Sequence, residues 1–153
     1  MTATTTDRQG LGYERVFVAL DGSDKQGRVL ARAIAIAQSD GAELYVGYVV
    51  DTTALEDAAA SPVDLADALE RTFRASVADE LARAEESGAL KRVEVIVGRG
   101  RIRETLQDDM LDVVRPDLVV CGARGLSSIK YAILGSISTF LARNTDCDTL
   151  IVK

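Results

Sequence analysis

Histidine is absent from all 153 residues. That removes His general bases, Ser–His triads and His-ligated metals in one step. Basic charge is in deficit: 18 Lys and Arg stand against 24 Asp and Glu, a net charge of −6. This balance disfavours nonspecific binding to nucleic acid or to anionic lipid. No uninterrupted apolar run approaches the roughly 20 residues that a membrane helix needs. The opening Met1 to Arg8 also lacks the apolar stretch of a signal peptide. The expectation is a cytoplasmic protein with neither membrane nor nucleic acid as partner. Cysteine is scarce as well, at two residues, and both read as reduced thiols. Cys121 follows the apolar run Leu118-Val119-Val120, and Cys147 precedes Leu150-Ile151-Val152. If those runs are neighbouring parallel strands, five residues at about 3.3 Å each separate the thiols by roughly 16 Å. A disulfide needs Cα atoms within about 7 Å, so none is expected within the monomer.

What is present is a chain long enough for one core and too short for two. At 47% hydrophobic and 27% charged residues, a packed globule is expected rather than disorder. Residues 1–13 read as a mobile polar tail and residues 14–153 as a single domain. Arg15 to Leu20 is a short apolar run ending at Asp21-Gly22-Ser23, as a strand buried on both faces would be. From Asp24 to Gln38, apolar residues at Leu30, Ala33, Ile34 and Ala37 keep helical spacing until Asp40-Gly41. Glu43 to Val50 reads as a second strand, and Asp51 to Ala60 as an acidic connection without a period. A long helix spans Pro62 to Glu86, with Leu65, Leu69, Phe73, Val77 and Leu81 repeating every four residues. Val93 to Val97 is a third strand, followed by a Gly98-Arg99-Gly100 turn. A third helix carries Ile102, Leu106, Met110 and Val113 and ends before Pro116. Asp117 to Cys121 is strand four, Ser128 to Arg143 a last turn and helix, and Thr149 to Lys153 strand five.

Strands alternating with helices imply an α/β fold: one open five-stranded parallel sheet with helices on both faces, a Rossmann-like arrangement. Ligands of such sheets bind beyond the carboxyl ends of the strands where the strand order reverses. With order 3-2-1-4-5 the reversal falls between strands one and four. The loops there are Asp21-Gly22-Ser23 and Gly122-Ala123-Arg124-Gly125. Glycines allow close backbone approach, and with nine residues between, Gly125 is followed by Gly135-Ser136, where Ser136 could cap the last helix. A helix N-terminus aimed into such a crevice is a means of holding phosphates.

The segment from Asp117 through Gly122-Ala123-Arg124-Gly125 to Leu134-Gly135-Ser136-Ile137-Ser138, ending in Leu150-Ile151-Val152, resembles the C-terminal signature of universal stress proteins. Its Gly-x2-Gly-x9-Gly-Ser spacing matches that family's ATP-binding pattern at every fixed position, and the likeness spans about residues 14 to 153. The resemblance implies a homodimeric, nucleotide-responsive stress regulator that binds ATP, with or without Mg²⁺. It implies that Asp21 faces the ribose or adenine and that the backbone of Val49 reads the adenine edge. Gly122 and Gly125 would line ribose and phosphates, with Arg124 between them. Gly135, Ser136 and Ile137 would hold the triphosphate through backbone N–H groups and the Ser hydroxyl. Dimers would form through the last strand, Thr149 to Lys153, and an unidentified protein would read the nucleotide state. ATP would order the Gly122 to Ser136 loop and the Asp51 to Ala60 connection.

Departures from the family pattern are the Gly98-Arg99-Gly100 turn, where relatives often carry a proline, and Asp148-Thr149, where a proline often precedes the last strand. Asp21 also has a plainer reading, as a cap for the helix beginning near Asp24. The P-loop-like Gly22 to Val29 lacks the Lys and Ser/Thr that touch phosphate and Mg²⁺. Arg99, Arg101 and Arg103 read either as phosphate partners or as a solvated helix start. Tyr45, Tyr48 and Phe73 read as core. Two rival functions remain: a nucleotide-free dimeric adaptor, and a slow ATPase or phosphotransferase. The enzyme reading lacks a His, a Walker lysine and paired carboxylates to orient water.

Overall fold

In the computed structural model, residues 11–56, 61–123 and 134–153 are described. The sheet contains β1 (Arg15–Leu20), β2 (Glu43–Asp51), β3 (Arg92–Gly100), β4 (Leu118–Gly122) and β5 (Asp148–Val152). All neighbours are parallel, in the order β3-β2-β1-β4-β5. This is the order expected from the alternation of elements. Between the strands lie α1 (Gln26–Asp40), the single turn α2 (Thr52–Leu55), α3 (Pro62–Glu86), α4 (Ile102–Thr105), α5 (Asp112–Val114) and α6 (Ser136–Asn144). No helix among the described residues is long and apolar enough to cross a membrane.

Period-two alternation in the central strands divides the core into two layers. Val16, Val18, Leu44, Val46, Leu118 and Val120 face one side, covered by Leu30, Ala33 and Ala37 of α1 and by Phe73, Val77 and Leu81 of α3. Phe17, Tyr45, Val49, Val119 and Cys121 face the other, covered by Leu106, Met110, Leu111, Val114 and, from α6, Leu141. Helix ends follow local chemistry. Gly41, at φ 62°, closes α1 by giving its N–H to Ala37 O and Gln38 O. Ser61 Oγ accepts from Asp64 N at 3.4 Å, with Pro62 in the first turn of α3. Along α3 the four-residue apolar repeat is buried from Phe73 onward, whereas Leu65 is exposed.

The third helix departs from the regular spacing expected of it. Between α4 and α5, residues Leu106–Leu111 form a π-helical segment. The wider turn advances the apolar face by a residue, burying Met110, Leu111 and Val114 and leaving Val113 71% exposed. Gln107 Nε2 donates to Asp112 Oδ1 at 2.6 Å, the five-residue step of a π turn. Met110 fills space that two glycines leave open: a Cβ on Gly98 would stand 3.1 Å from Met110 Cε, and one on Gly47 3.0 Å from its Sδ. Gly98-Arg99-Gly100 is the end of β3 rather than a turn, paired with Val49, Val50 and Asp51. Cys121 and Cys147 are both free, as the spacing along β4 and β5 requires.

Candidate functional site

The register sets which residues share the carboxyl edge of the sheet. Leu20 pairs with Tyr48, and Ala19 with Cys121, so Asp21, the residue after β1, stands level with Val49, two residues before the end of β2, and one step beyond Gly122, the last residue of β4. Asp21 Oδ1 accepts from Ser23 N at 2.9 Å, which folds the β1–α1 loop into an Asx turn. Gly22 takes φ 76°, a conformation glycine adopts without strain. Its N–H is given to Gln26 Oε1 at 3.1 Å. The helix begins at Gln26 with Lys25 at its N-cap and no side-chain cap, so Asp21 organises the loop instead of capping α1. Gly27 and Arg28 are helical, and no phosphate-cradling loop exists there.

Tyr48 lies beneath this loop. Its ring stacks on Phe73 with centroids 4.2 Å apart and planes 12° from parallel. Gly22 passes over its edge, where a Cβ would stand 3.5 Å from Tyr48 Cε2 and 3.7 Å from the hydroxyl. Burial raises the Tyr48 phenol above its ordinary range, and the nearby Asp21 carboxylate adds to the effect. Tyr45 and Phe73 are core residues; Tyr48 is partly buried, with its hydroxyl at the loop.

Beyond β4, Ala123 is held from three directions. Its N–H goes to Val152 O at 2.9 Å, and its carbonyl accepts from Gly135 N at 2.6 Å. The Ser138 hydroxyl reaches that carbonyl at 3.2 Å and Gly135 O at 2.9 Å. These bonds pin the start of α6 against the end of β4. Gly135, not Ser136, is the N-cap, and Ser136 is the exposed first helical residue. Gly135 has already given its N–H to Ala123, so the first-turn donors without an acceptor among the described residues belong to Ser136, Ile137 and Ser138. The Ile137 side chain packs into the core beside Phe140. Val49 is likewise buried, leaving only its backbone for a ligand. Arg124 and Gly125 lie outside the described residues.

Charge near this edge is partly committed elsewhere. Arg99 Nη2 bonds Asp67 Oδ1 at 2.6 Å and Glu70 Oε2 at 2.9 Å, tying the end of β3 to α3. The Arg99 guanidinium pulls the Glu70 carboxyl below its ordinary value, with Arg74 adding to the effect. Arg103 stands over the Phe140 ring of α6, 5.9 Å from the centroid. Arg99 and Arg103 therefore have intramolecular partners, and Arg101 is the N-cap of α4.

The sequence model of the universal stress protein family matches residues 12–153. The chain belongs to that family. Among relatives, a Staphylococcus saprophyticus protein assigned to the universal stress proteins is 26% identical over 147 residues, covering 94% of this chain and 85% of its own. A universal stress protein crystallised with cAMP is 29% identical at a TM-score of 0.61, covering 92% of this chain and 97% of that one. The fold is shared with UspA of Lactobacillus plantarum at a TM-score of 0.69 and 23% identity, over 93% of this chain and 99% of that one.

Sequence reasoning did not assign Gln26, Tyr48 or Ser138 to this universal stress protein's crevice. Ser138 was legible in principle, as a Ser two positions inside the last helix and three past the glycine whose carbonyl it reaches. Gln26 and Tyr48 act through partners on α3, about which local patterning is silent.

Proposed function

We propose that this universal stress protein binds an adenine nucleotide, ATP, at the carboxyl edge between β1 and β4, and works as a homodimeric nucleotide-responsive regulator. The observation that carries the reading is the meeting, at adjacent strand ends, of the Asp21–Ser23 turn, Gly122 and the α6 N-terminus with its free first-turn donors. Asp21 would take the ribose or adenine edge with the carboxylate oxygen that the Asx turn leaves free. The Val49 backbone would meet the adenine. Gly122, with Arg124 and Gly125 beyond it, would follow the ribose and phosphates. The N–H groups of Ser136 and Ile137 and the Ser136 hydroxyl would hold phosphate oxygens, and Gly135 would contribute by having no side chain in their way. A Mg²⁺ ion would arrive on the phosphates, since no group of three carboxylate or thiol side chains among the described residues is assembled to hold one.

The β5 strand pairs with β4 on one side and ends the sheet, and with no strand on its other edge among the described residues, that edge would pair with a second copy. Nucleotide occupancy would then change the surface that this edge and the crevice loops offer a protein partner. A cyclic nucleotide is a second reading, favoured by the 29%-identical relative in complex with cAMP. Thermal unfolding with ATP, AMP, cAMP and GTP tests both. A ligand at 100 times its Kd adds about 2.7 kcal/mol to stability. At this chain length that raises the unfolding temperature by roughly 5–11 °C. A shift with ATP alone supports the first reading, and a shift with cAMP alone the second. No shift with any nucleotide refutes both and leaves the adaptor role.

A further inference from the structure

The loop that carries Asp21 is wired to the middle of a helix fifty residues away. Gly22 N donates to Gln26 Oε1 at 3.1 Å, and the other end of the same amide, Gln26 Nε2, donates to Ser76 Oγ at 2.8 Å. The Ser76 hydroxyl in turn donates to Phe73 O at 2.6 Å, one turn back along α3. Phe73 stacks on Tyr48, and Tyr48 lies against Gly22. The circuit therefore closes on itself: Gly22, Gln26, Ser76, Phe73, Tyr48, Gly22.

Two features make it more than an ordinary surface contact. A glutamine amide is acceptor at one end and donor at the other, and here each end has a partner of the matching kind. Phe73 is also the single aromatic residue of α3 and is buried, and that helix is held to the end of β3 by Arg99 through Asp67 and Glu70. A displacement of the Asp21–Ser23 turn is thus opposed on two sides of one helix turn, by a hydrogen bond at Ser76 and a ring stack at Phe73.

We infer that Gln26 is a positioning residue through which the ligand state of the Asp21–Ser23 turn is transmitted to α3 at Phe73–Ser76. The inference rests on the nucleotide reading above. It needs no ligand contact from Gln26: a ligand that draws Asp21 toward itself pulls on Gly22 N, and the amide carries the strain to Ser76. Such a device shifts an equilibrium only as far as the ligand prefers one loop position over the other.

Amide exchange and chemical shifts followed by NMR test it in two arms. Without nucleotide, Ser76→Ala should speed exchange at the Gly22 amide about fivefold, the effect of weakening one hydrogen bond. An unchanged Gly22 amide in that variant overturns the circuit whatever the ligand. With saturating ATP, the wild type should show shift changes at residues 73–77 as well as at 21–23, and Gln26→Leu should keep the changes at 21–23 and lose most of those at 73–77, those at Ser76 above all, since the Tyr48–Phe73 stack remains. Equal responses at 73–77 in wild type and Gln26→Leu, or none in the wild type despite changes at 21–23, overturn the inference alone. No response anywhere in the wild type overturns the nucleotide reading and the inference with it. Because Gln26 and Ser76 are outside the buried core, both variants should fold, and unchanged melting temperatures check this.

Discussion

Replacing Gly47 with alanine would place a methyl group where the ring of Phe17 already lies. A Cβ built there overlaps Phe17 Cζ, stands 2.8 Å from Cε2, and meets Met110 Sδ at 3.0 Å. Phe17 and Met110 are fully buried, so neither can swing into solvent. The ring must move and the Met110 thioether must give by a few tenths of an ångström, and overpacking of this kind costs about 1–3 kcal/mol. For a domain of this size that corresponds to a fall of roughly 2–12 °C in unfolding temperature. Gly27 supplies the opposite control: a Cβ there meets nothing within 4 Å, in the first turns of α1. Gly27→Ala should gain up to about 1 kcal/mol from helix propensity. Far-ultraviolet circular dichroism on heating would read both. Adding Phe17→Leu to Gly47→Ala should recover part of the loss, giving a non-additive pair. A Gly47→Ala protein that unfolds at or above the wild-type temperature would refute the reasoning, because the contact that sets β2 against the π segment would not be tight.

Tyr13 donates its hydroxyl to Asp148 Oδ2 at 2.7 Å, and this bond, followed by burial and the charges of Asp148, Asp117 and Asp40, raises its phenol above the ordinary 10.0. A raised folded value means stability that is intact below pH 10.0 and lost as pH climbs through the higher folded value, so Tyr13→Phe should shrink the alkaline loss of stability. An unchanged alkaline limb in that variant would show that Tyr13 carries none of it. Glu70 works with the opposite sign: Arg99 lowers it from 4.5, so its contribution is present above that value and fades as pH falls through the lower folded one. Arg99→Ala should return Glu70 toward 4.5 in a carboxyl NMR titration, and no movement would refute the pairing. Burial pushes the Cys121 thiol up to about 11, so thiol reagents at neutral pH should modify Cys147 first and Cys121 only as the protein unfolds. Equal rates at the two thiols would contradict the buried placement of β4.

Much of this architecture is readable without coordinates because its causes are local. Arg15–Leu20 is a strand since an apolar run ends in Asp-Gly-Ser, and α3 starts and stops where Pro62 and Glu86-Ser87-Gly88 dictate. The crevice loops follow from the topology once the strands are counted. The third helix was not readable in the same way. Its π segment sets Met110 against Gly47 and Gly98, distant in sequence, and a 3.6-residue pattern cannot register that contact. Gly98 to Gly100 resembles a turn by composition, yet β2 extends to Asp51 and offers a partner for every one of those residues. Arg99 reads either as a phosphate partner or as part of a solvated helix start, and neither reading contains Asp67 and Glu70, some thirty residues earlier, which hold it.

Calorimetric titration of ATP into the wild type and into Gly122→Val tests whether the carboxyl edge between β1 and β4 holds the nucleotide. Gly122 ends β4 beside the last step of β1, where a branched side chain would occupy the space between the strand ends and a ligand. Micromolar or tighter ATP binding is expected in the wild type and should be lost in a Gly122→Val protein that keeps its fold. Equal binding by both proteins, or none by the wild type, would contradict this expectation.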